Sequence, residues 1–178
     1  MPPAGRGPRL QTLQLRPLER IVSALSDLTL FGYWVNFVPT ADASAVTTVH
    51  QVLHVQDRVV ISEANGQPQL LGGPVMAGEH AAGCQVRFAE AAHLTVLGGL
   101  VALGVHEPVR RFGQLPVSDG PPRFRVQWLA GRALPSDHQP PALVRTLLPA
   151  REAVELLREL NPLHALVLEY ALHHRVAA

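Results

Sequence analysis

The chain contains no lysine: all fifteen basic residues in its 178 positions are arginine. Asparagine is scarce as well and occurs only at Asn36, Asn65 and Asn161. Both features indicate a GC-rich coding sequence, because arginine codons are mostly GC-rich and lysine codons are not. An arginine here is therefore weaker support for recognition of phosphate or carboxylate than it would be in a chain that uses both cations.

Other scarcities exclude whole classes of protein. The single cysteine, Cys84, excludes an intrachain disulfide and is expected to be a small buried residue. The longest weakly polar stretch, residues 91–105, is interrupted by His93 and Thr95 and is shorter than the roughly 20 residues of a membrane-spanning helix. The first ten residues lack the apolar segment of a secretory signal. We therefore expect a cytoplasmic protein with no membrane partner.

The charge balance gives little reason to expect long-range attraction of a polyanion. The formal net charge is +1, and only 16% of the residues are charged whereas 47% are hydrophobic. A weakly charged, rather apolar surface does little to prevent self-association. We therefore expect a homodimer.

No motif with catalytic or metal-binding spacing is present. The chain has no Cys-x-x-Cys, no His-Glu-x-x-His, no Gly-x-Ser-x-Gly and no glycine-rich phosphate loop. His50 and His54 could share a metal ion only on a helix, because on a strand they would stand about 13 Å apart. The sequence thus predicts no catalytic residue, no metal and no cofactor. An enzyme of unknown class stays open, since the carboxylates Glu63, Glu79, Glu90 and Glu107 could converge in space.

The amino-terminal half reads as one helix followed by strands. Apolar residues at a spacing of three and four predict a helix that begins at Pro17 and includes Ile21 and Leu25. Residues 33–38 are β-branched and aromatic and predict a strand. Residues 47–64 predict a strand pair, and the Asn65-Gly66 turn leads into another strand.

The second half reads as further strands and then two helices. Short strands are predicted at 84–88 and 123–129. Residues 94–106 predict a strand pair that breaks at Gly98-Gly99, and the alternative of a helix is disfavoured by three glycines in seven residues. Pro149 starts one helix, and Asn161 caps a second. The resulting fold class is α+β, an antiparallel sheet with an N-terminal helix and a C-terminal helical hairpin. Residues 1–10 are expected to be a disordered arm, 11–133 the α+β domain, and 134–178 a helical segment packed on it or on a partner chain.

One region concentrates positive charge beside aromatic residues. A single acid, Asp119, accompanies five basic residues there: Arg110, Arg111, Arg123, Arg125 and Arg132. Arginines along one strand face can follow a phosphate backbone. On the strand 123–129, however, the aromatic side chains alternate with the arginines and point to the other face, which is also the pattern of a half-buried strand with a solvated outer face.

Residues 13–88 resemble the PatA amino-terminal (PATAN) domain of bacterial signalling proteins. The matching stretches are PLERIVSALSDLTLFGYWVNFV, VLHVQDRVVISEANG and GCQVRF, which give a helix, a glycine-initiated strand, a strand pair and a glycine-aromatic strand. The resemblance implies a non-catalytic protein-interaction module and transfers no functional residues.

These observations together favour a non-catalytic cytoplasmic interaction or regulatory module that self-associates and has an unidentified protein partner. The face of the last helix that carries Leu163, Leu166, Val167 and Tyr170 is the expected dimer interface, although these residues could instead be buried within the chain. The alternative is a protein that binds single-stranded or non-specific nucleic acid, DNA included, through the arginines of 110–132. The second alternative is the enzyme of unknown class.

Overall fold

The computed structural model describes residues 14–30, 33–40, 45–108, 124–136 and 142–174. Four helices and eight strands follow one another in the order α1 (Leu18–Ser26), β1 (Leu28–Leu30), β2 (Tyr33–Val38), β3 (Thr48–Val55), β4 (Arg58–Ala64), β5 (Gln67–Pro74), α2 (Ala81–Ala91), β6 (Leu94–Pro108), β7 (Val126–Pro135), β8 (Arg145–Pro149), α3 (Ala150–Leu160) and α4 (Pro162–His173).

The strands form one sheet with the spatial order β1-β2-β6-β7-β3-β5-β4-β8. Strands β3 and β7 run parallel, and the other described pairs are antiparallel. The predicted α+β class, with an N-terminal helix and a C-terminal helical hairpin, is therefore confirmed. The boundary expected at residue 134 falls inside β7, and β8 joins the same sheet.

Helices cover both faces of the sheet, one face with a single helix and the other with three. Successive residues of each strand point to opposite faces, so each strand contributes side chains to both cores. On β3, Val49 and Leu53 pack on the side of α2. On the same strand, Val52 belongs to the larger core under α1, α3 and α4. We call the first side the α2 face and the second side the α4 face.

Several predicted elements are confirmed. Helix α1, strand β2 and the β3–β4 pair lie where the sequence places them. Asn65 and Gly66 both adopt positive φ angles, 52° and 74°, as a tight two-residue hairpin turn between β4 and β5 requires.

Other predictions of local structure are wrong. Residues 84–88 lie in helix α2, whose buried Cys84 packs on the sheet together with Phe88. The stretch 94–106 is one continuous strand with a bulge after Leu97. Leu97 pairs with Arg132 and Val101 pairs with Ala130, so four residues of β6 lie opposite only two residues of β7. Strand β7 begins at Val126 and runs past the predicted end to Pro135. Strands β1 and β8 were not predicted.

No helix in the part of the chain that the structure describes is both long and apolar enough to cross a membrane.

Candidate functional site

The loop between β5 and α2 is held by a carboxylate–guanidinium pair. The Glu79 carboxylate accepts hydrogen bonds from Arg87 Nε at 2.8 Å and Arg87 Nη2 at 2.9 Å, and from the backbone N–H of Met76 at 2.9 Å. Arg87 also donates to the carbonyl oxygen of Pro74, at 2.8 Å. These bonds join the end of β5, the loop and the helix into one rigid unit.

The same bonds fix the protonation state of the acid. Hydrogen bonds from Arg87, and then the one from Met76 N–H, lower the pKa of Glu79 to about 2. The carboxylate is therefore ionised throughout the physiological range. It is suited to accepting hydrogen bonds or orienting a cation and is poorly suited to removing a proton.

A second carboxylate–guanidinium pair lies between β6 and the start of β7. Arg125 Nε is 3.3 Å from Glu107 Oε2, and the Arg125 side chain is 17% exposed while that of Glu107 is 37% exposed. Glu107 is thus the more accessible partner, and water or a ligand can reach its carboxylate.

Thr47 connects the two pairs. Its hydroxyl accepts a hydrogen bond from the backbone N–H of Arg125 at 3.1 Å, and its carbonyl accepts one from the backbone N–H of Val75 at 2.9 Å. Thr47 therefore touches both the residue that carries the second pair and the loop that carries the first. Both pairs lie at the same end of the sheet.

Two glutamine side chains lie on the α2 face of the neighbouring strands. Gln51 on β3 and Gln127 on β7 are buried, and the Oε1 atom of each has no hydrogen-bond partner. Gln51 Nε2 donates to the carbonyl oxygen of Gln85 in α2 at 3.1 Å. Gln127 pairs with Val49, two residues before Gln51, so the two amides share one face. We call the two ion pairs and these two glutamines the ion-pair site.

Unpaired buried oxygens are costly, at about 1–3 kcal/mol each. Such a cost is removed when a water molecule or the N–H group of a ligand donates to the oxygen. The two glutamines therefore carry buried acceptor oxygens on the same sheet face as the two ion pairs. Guanidinium groups are the side chains best shaped to bind phosphate oxygens.

Divalent metal ions commonly assist reactions at phosphate groups, so we tested whether the described residues could hold one. No group of three or more His, Cys, Asp or Glu residues comes together within those ranges. Glu79 and Glu107 are each paired with an arginine, which opposes the binding of a further cation. The described residues do not fit a metal ion held by the protein alone.

The histidines that the sequence singled out lie elsewhere. His50 and His54 are on strand β3 and face the α4 side, in the buried core. On a strand they cannot share one metal ion. Desolvation lowers the pKa of His50 to about 4 although its ring donates a hydrogen bond to the carbonyl oxygen of Leu70.

Of the five predicted nucleic-acid-binding arginines, the structure places two. Arg125 belongs to the ion-pair site, whereas Arg132 is exposed on β7 and lies on the opposite face of the sheet. Arg132 lies near His54 there, and the pKa of His54 is lowered first by the burial of its ring and then by the charge of Arg132. Arg125 and Arg132 therefore form no common arginine face. Arg110, Arg111 and Arg123 lie outside the described residues.

The four predicted interface residues are inside the chain. Leu166, Val167 and Tyr170 are buried in the core under α4, and Leu163 packs against that core. The structure therefore takes the intramolecular alternative for this face. The carboxylates Glu79 and Glu107 were among the four that could converge, but their spacing in the sequence gave no sign that they lie at the same end of the sheet. Glu63 lies beside the β4–β5 turn, and Glu90 is exposed on α2.

Several solved structures with a similar fold are described as hydrolases. A mutant of the Bacillus subtilis pyrophosphohydrolase BsRppH aligns over 66% of this chain and 73% of its own length, with a TM-score of 0.51 and 12% identity. A protein described as an ADP compounds hydrolase aligns over 84% of this chain and 89% of its own, with a TM-score of 0.50 and 13% identity. A Nudix hydrolase of M. smegmatis, RenU, aligns over 79% of this chain and 95% of its own, with a TM-score of 0.49 and 14% identity. No family model matches the sequence, and no curated protein does.

These likenesses establish the fold and overturn two predictions. The resemblance to the PatA amino-terminal domain is wrong, because the similar folds belong to hydrolases and none of those named is a signalling domain of that kind. The prediction of a non-catalytic regulatory or interaction module is contradicted by the same finding. The alternative prediction, nucleic-acid binding through the arginines of 110–132, fits the similarity to hydrolase folds no better than the interaction module does.

Proposed function

We propose that the chain is a hydrolase that cleaves a phosphoanhydride bond in a nucleoside diphosphate compound. Its fold is similar to that of a pyrophosphohydrolase and of an ADP compounds hydrolase. A fold alone does not give an activity, because one fold carries many chemistries. The observation that carries the proposal is the pair of carboxylate–guanidinium contacts, Glu79–Arg87 and Arg125–Glu107, at one end of the sheet.

The guanidinium groups would bind the substrate's phosphates. Arg125 has a planar set of N–H donors that can turn from Glu107 to phosphate oxygens, while Arg87 stays bonded to Glu79 and contributes its fixed positive charge. Charge builds up on those oxygens as the anhydride bond breaks, so positively charged donors fixed beforehand stabilise the transition state. The buried oxygens of Gln51 and Gln127 would accept hydrogen bonds from ordered water.

The exposed carboxylate would serve the attacking water. When Arg125 turns to a phosphate, Glu107 loses its cationic neighbour and becomes free to accept a proton. The water oxygen then bonds to phosphorus, the anhydride P–O bond breaks, the phosphate leaves with the electron pair of that bond, and the proton of the water passes to Glu107. Glu79 stays ionised and holds Arg87 in place.

The test is turnover of a defined set of substrates by the full chain. ADP-ribose and a 5′-triphosphorylated oligonucleotide would be incubated with the protein, in Mg²⁺ and in EDTA, and the released AMP, phosphate or pyrophosphate measured by anion-exchange chromatography. Arg125→Ala and Glu107→Gln are expected to lower kcat at least about a hundredfold. Glu159→Gln on the exposed side of α3, across the sheet, should leave kcat unchanged. Absence of turnover on every substrate, or full activity in both site variants, contradicts the proposal.

We also propose that the protein works in the cytoplasm. Its one cysteine is free and buried, so the fold needs no oxidising compartment. Fractionation of cells that make the native chain would test this, and recovery in the periplasmic or secreted fraction would contradict it.

A further inference from the structure

A cleft of about 530 Å³ lies among the helices of the α4 face, where α1 and α4 begin and α3 ends. The described residues that line it are Gln14, Leu15, Arg16, Pro17, Arg158 and Pro162. Pro17 immediately precedes α1, Arg158 lies in the last turn of α3, and Pro162 is the first residue of α4. The volume is within the range of small-molecule sites, roughly 300–1,000 Å³. The cleft is therefore large enough for an organic ligand.

One carboxylate fixes two guanidinium groups in the wall of this cleft. Glu169 Oε1 accepts hydrogen bonds from Arg16 Nη2 at 2.7 Å and from Arg158 Nε at 2.9 Å. Arg16 Nε donates to the same carboxylate, and Arg158 Nη2 donates to the carbonyl oxygen of Gln14 at 3.3 Å. The arginine side chains are 40% and 35% exposed, whereas the side chain of Glu169 is fully buried. Glu169 therefore holds both guanidinium groups from the protein interior and leaves their outer edges accessible from the cleft.

The charges around this cleft do not balance. Burial acts to raise the pKa of Glu169, but the hydrogen bonds from Arg16 and Arg158 outweigh burial and hold the pKa at about 2, so this acid carries one negative charge. Glu155 also attracts Arg158, but it is itself bonded to Arg151 at 2.9 Å. No Asp or Glu is among the described residues that line the cleft. One positive charge is therefore uncompensated where the two arginines meet.

The remaining donors of the two arginines suit a tetrahedral oxyanion. The bonds to Glu169 and Gln14 use Nε and Nη2, and within the described ranges Nη1 of Arg16 and Nη1 of Arg158 donate to no other group. The oxygens of a phosphate point in several directions, so one phosphate can bridge two guanidinium groups whose planes are already set by a third group. A planar carboxylate can do this less well. The geometry therefore favours phosphate.

We propose that this cleft binds the phosphate group of a phosphorylated small molecule between Arg16 and Arg158. The phosphate supplies the missing negative charge, and the organic part of the ligand packs against Leu15, Pro17 and Pro162. The cleft lies across the sheet from α2 and the ion-pair site, so its ligand is a second ligand and not the hydrolysed substrate. Binding can be measured without any hydrolysis, and neither proposal stands or falls with the other.

Titration of the full chain, labelled with ¹⁵N, locates the bound anion by NMR. At about pH 7.5 and constant ionic strength, inorganic phosphate should shift the backbone signals of Leu15, Arg16 and Leu163 until they saturate. Phenyl phosphate should bind there at least about fivefold more tightly, because its ring packs on the apolar wall. Acetate should bind at least about fivefold more weakly than phosphate. Phosphate-induced shifts that occur only around Arg87 and Glu107 overturn the proposal, as do equal affinities for phosphate and acetate or for the two phosphates.

Two variants test the arginines with the same titration. Arg158→Lys keeps the charge beside Glu169 but removes the planar fork, and we expect phosphate to bind at least about fivefold more weakly. Gln14→Glu adds a competing carboxylate at the rim and should weaken binding at least about tenfold. Gln14 is exposed and accepts the bond from Arg158 through its backbone carbonyl, so this variant is expected to fold as the native chain does.

Matched controls make the same changes elsewhere. Arg151→Lys lies on the same helix as Arg158, and Gln56→Glu lies at an exposed position between β3 and β4. Both should leave the affinity for phosphate at the cleft within about twofold of the native value. A Gln14→Glu variant that binds phosphate as well as Gln56→Glu overturns the proposal, whether or not Arg158→Lys folds.

Discussion

Trp128 donates its indole N–H to Nδ1 of His106 at 2.7 Å, in the core between β7 and β6. The other ring nitrogen of His106, Nε2, donates to the carbonyl oxygen of Leu25 at 2.8 Å. Since an indole only donates and a carbonyl only accepts, His106 must be neutral with its proton on Nε2. This one imidazole ties the central strands to the end of α1.

Replacing that imidazole should be costly. His106→Leu leaves the buried N–H of Trp128 and the carbonyl of Leu25 without this partner, and we expect unfolding free energy to fall by about 2–4 kcal/mol. Urea denaturation followed by tryptophan fluorescence measures it. His80→Leu, at an exposed position before α2, should change stability by less than about 0.5 kcal/mol. Equal losses in the two variants would show that the bond to Trp128 contributes nothing particular.

Stability should also fall as the pH is lowered from about 6.5 to 4. Burial lowers the pKa of both His50 and His106 to about 4, from the ordinary histidine value of 6.5. His164, whose Nδ1 accepts a hydrogen bond from Leu70 N–H at 3.0 Å, has its pKa lowered as well, by burial and by the neighbouring His50. In that range the unfolded chain binds protons that the folded chain does not, so the unfolding free energy decreases with falling pH.

The size of this fall in unfolding free energy follows from how far the pKa values of the buried histidines are lowered. Each of His50 and His106 contributes about 3 kcal/mol to the difference between pH 7 and pH 4. Urea titrations at several pH values between 7.5 and 4.5 would measure the slope. In His106→Leu the proton uptake on unfolding should be smaller by about one proton in this range. An unfolding free energy that stays flat between pH 6.5 and 4.5 would contradict the assignment of neutral buried histidines.

The sequence predicted local structure where its signals are local. The apolar spacing in α1 and the Asn65-Gly66 turn depend on neighbours in the chain, and these elements lie where expected. The alternation around Trp128 also predicted a strand, although its bounds differ, since β7 runs from Val126 to Pro135. It failed at 84–88, where Cys84, Val86 and Phe88 alternate as in a strand. The helical spacing of Ala81, Cys84 and Phe88 was the competing signal, and burial of Cys84 and Phe88 against the sheet decided between them.

The site could not be predicted because it depends on contacts between distant segments. Arg125 and Glu107 meet only because β6 and β7 pair, and Thr47 joins them to the loop after β5 only because β3 lies beside both β5 and β7. Alternation correctly placed Arg125 on the face opposite Trp128 but gave no information on its partner. The pairing of strands far apart in the chain carries that information.

Close packing of strand backbones makes Gly72 irreplaceable. Its φ angle is 149°, and a Cβ atom there would clash with the carbonyl oxygen of Val49 and lie 2.6 Å from Cα of His50, both on the paired strand β3. Gly72→Ala must push β5 away from β3, so we expect a loss of more than about 3 kcal/mol in unfolding free energy. Gly99→Ala, which meets no atom within 4 Å, should cost less than about 0.5 kcal/mol when measured at low protein concentration. Thermal unfolding of both variants would decide, and a Gly72→Ala variant as stable as Gly99→Ala would contradict this account.

A buried carboxylate fastens α4 to the segment before α1. Glu169 is fully buried and accepts hydrogen bonds from Arg16 Nη2 at 2.7 Å and from Arg158 Nε at 2.9 Å. Burial alone would raise its pKa, but the bonds from Arg16 and Arg158 outweigh burial and hold the pKa at about 2. Stability from this acid is therefore complete above about pH 4.5 and is lost as the pH falls towards 2.

The substitution Glu169→Gln keeps the shape of the side chain and removes its negative charge. We expect a loss of about 1–3 kcal/mol at pH 7, at the lower end because both arginines are more than a third exposed and screened by solvent. Glu155→Gln, which breaks an exposed pair with Arg151 on α3, should cost at most about 0.5 kcal/mol. Urea denaturation at pH 7, 4.5 and 3.5 would compare them. The difference between the native chain and Glu169→Gln must shrink below pH 4.5, because Glu169 then binds a proton in the unfolded chain but not in the folded one. A difference that stays constant would show that the charge of Glu169 does not account for its contribution.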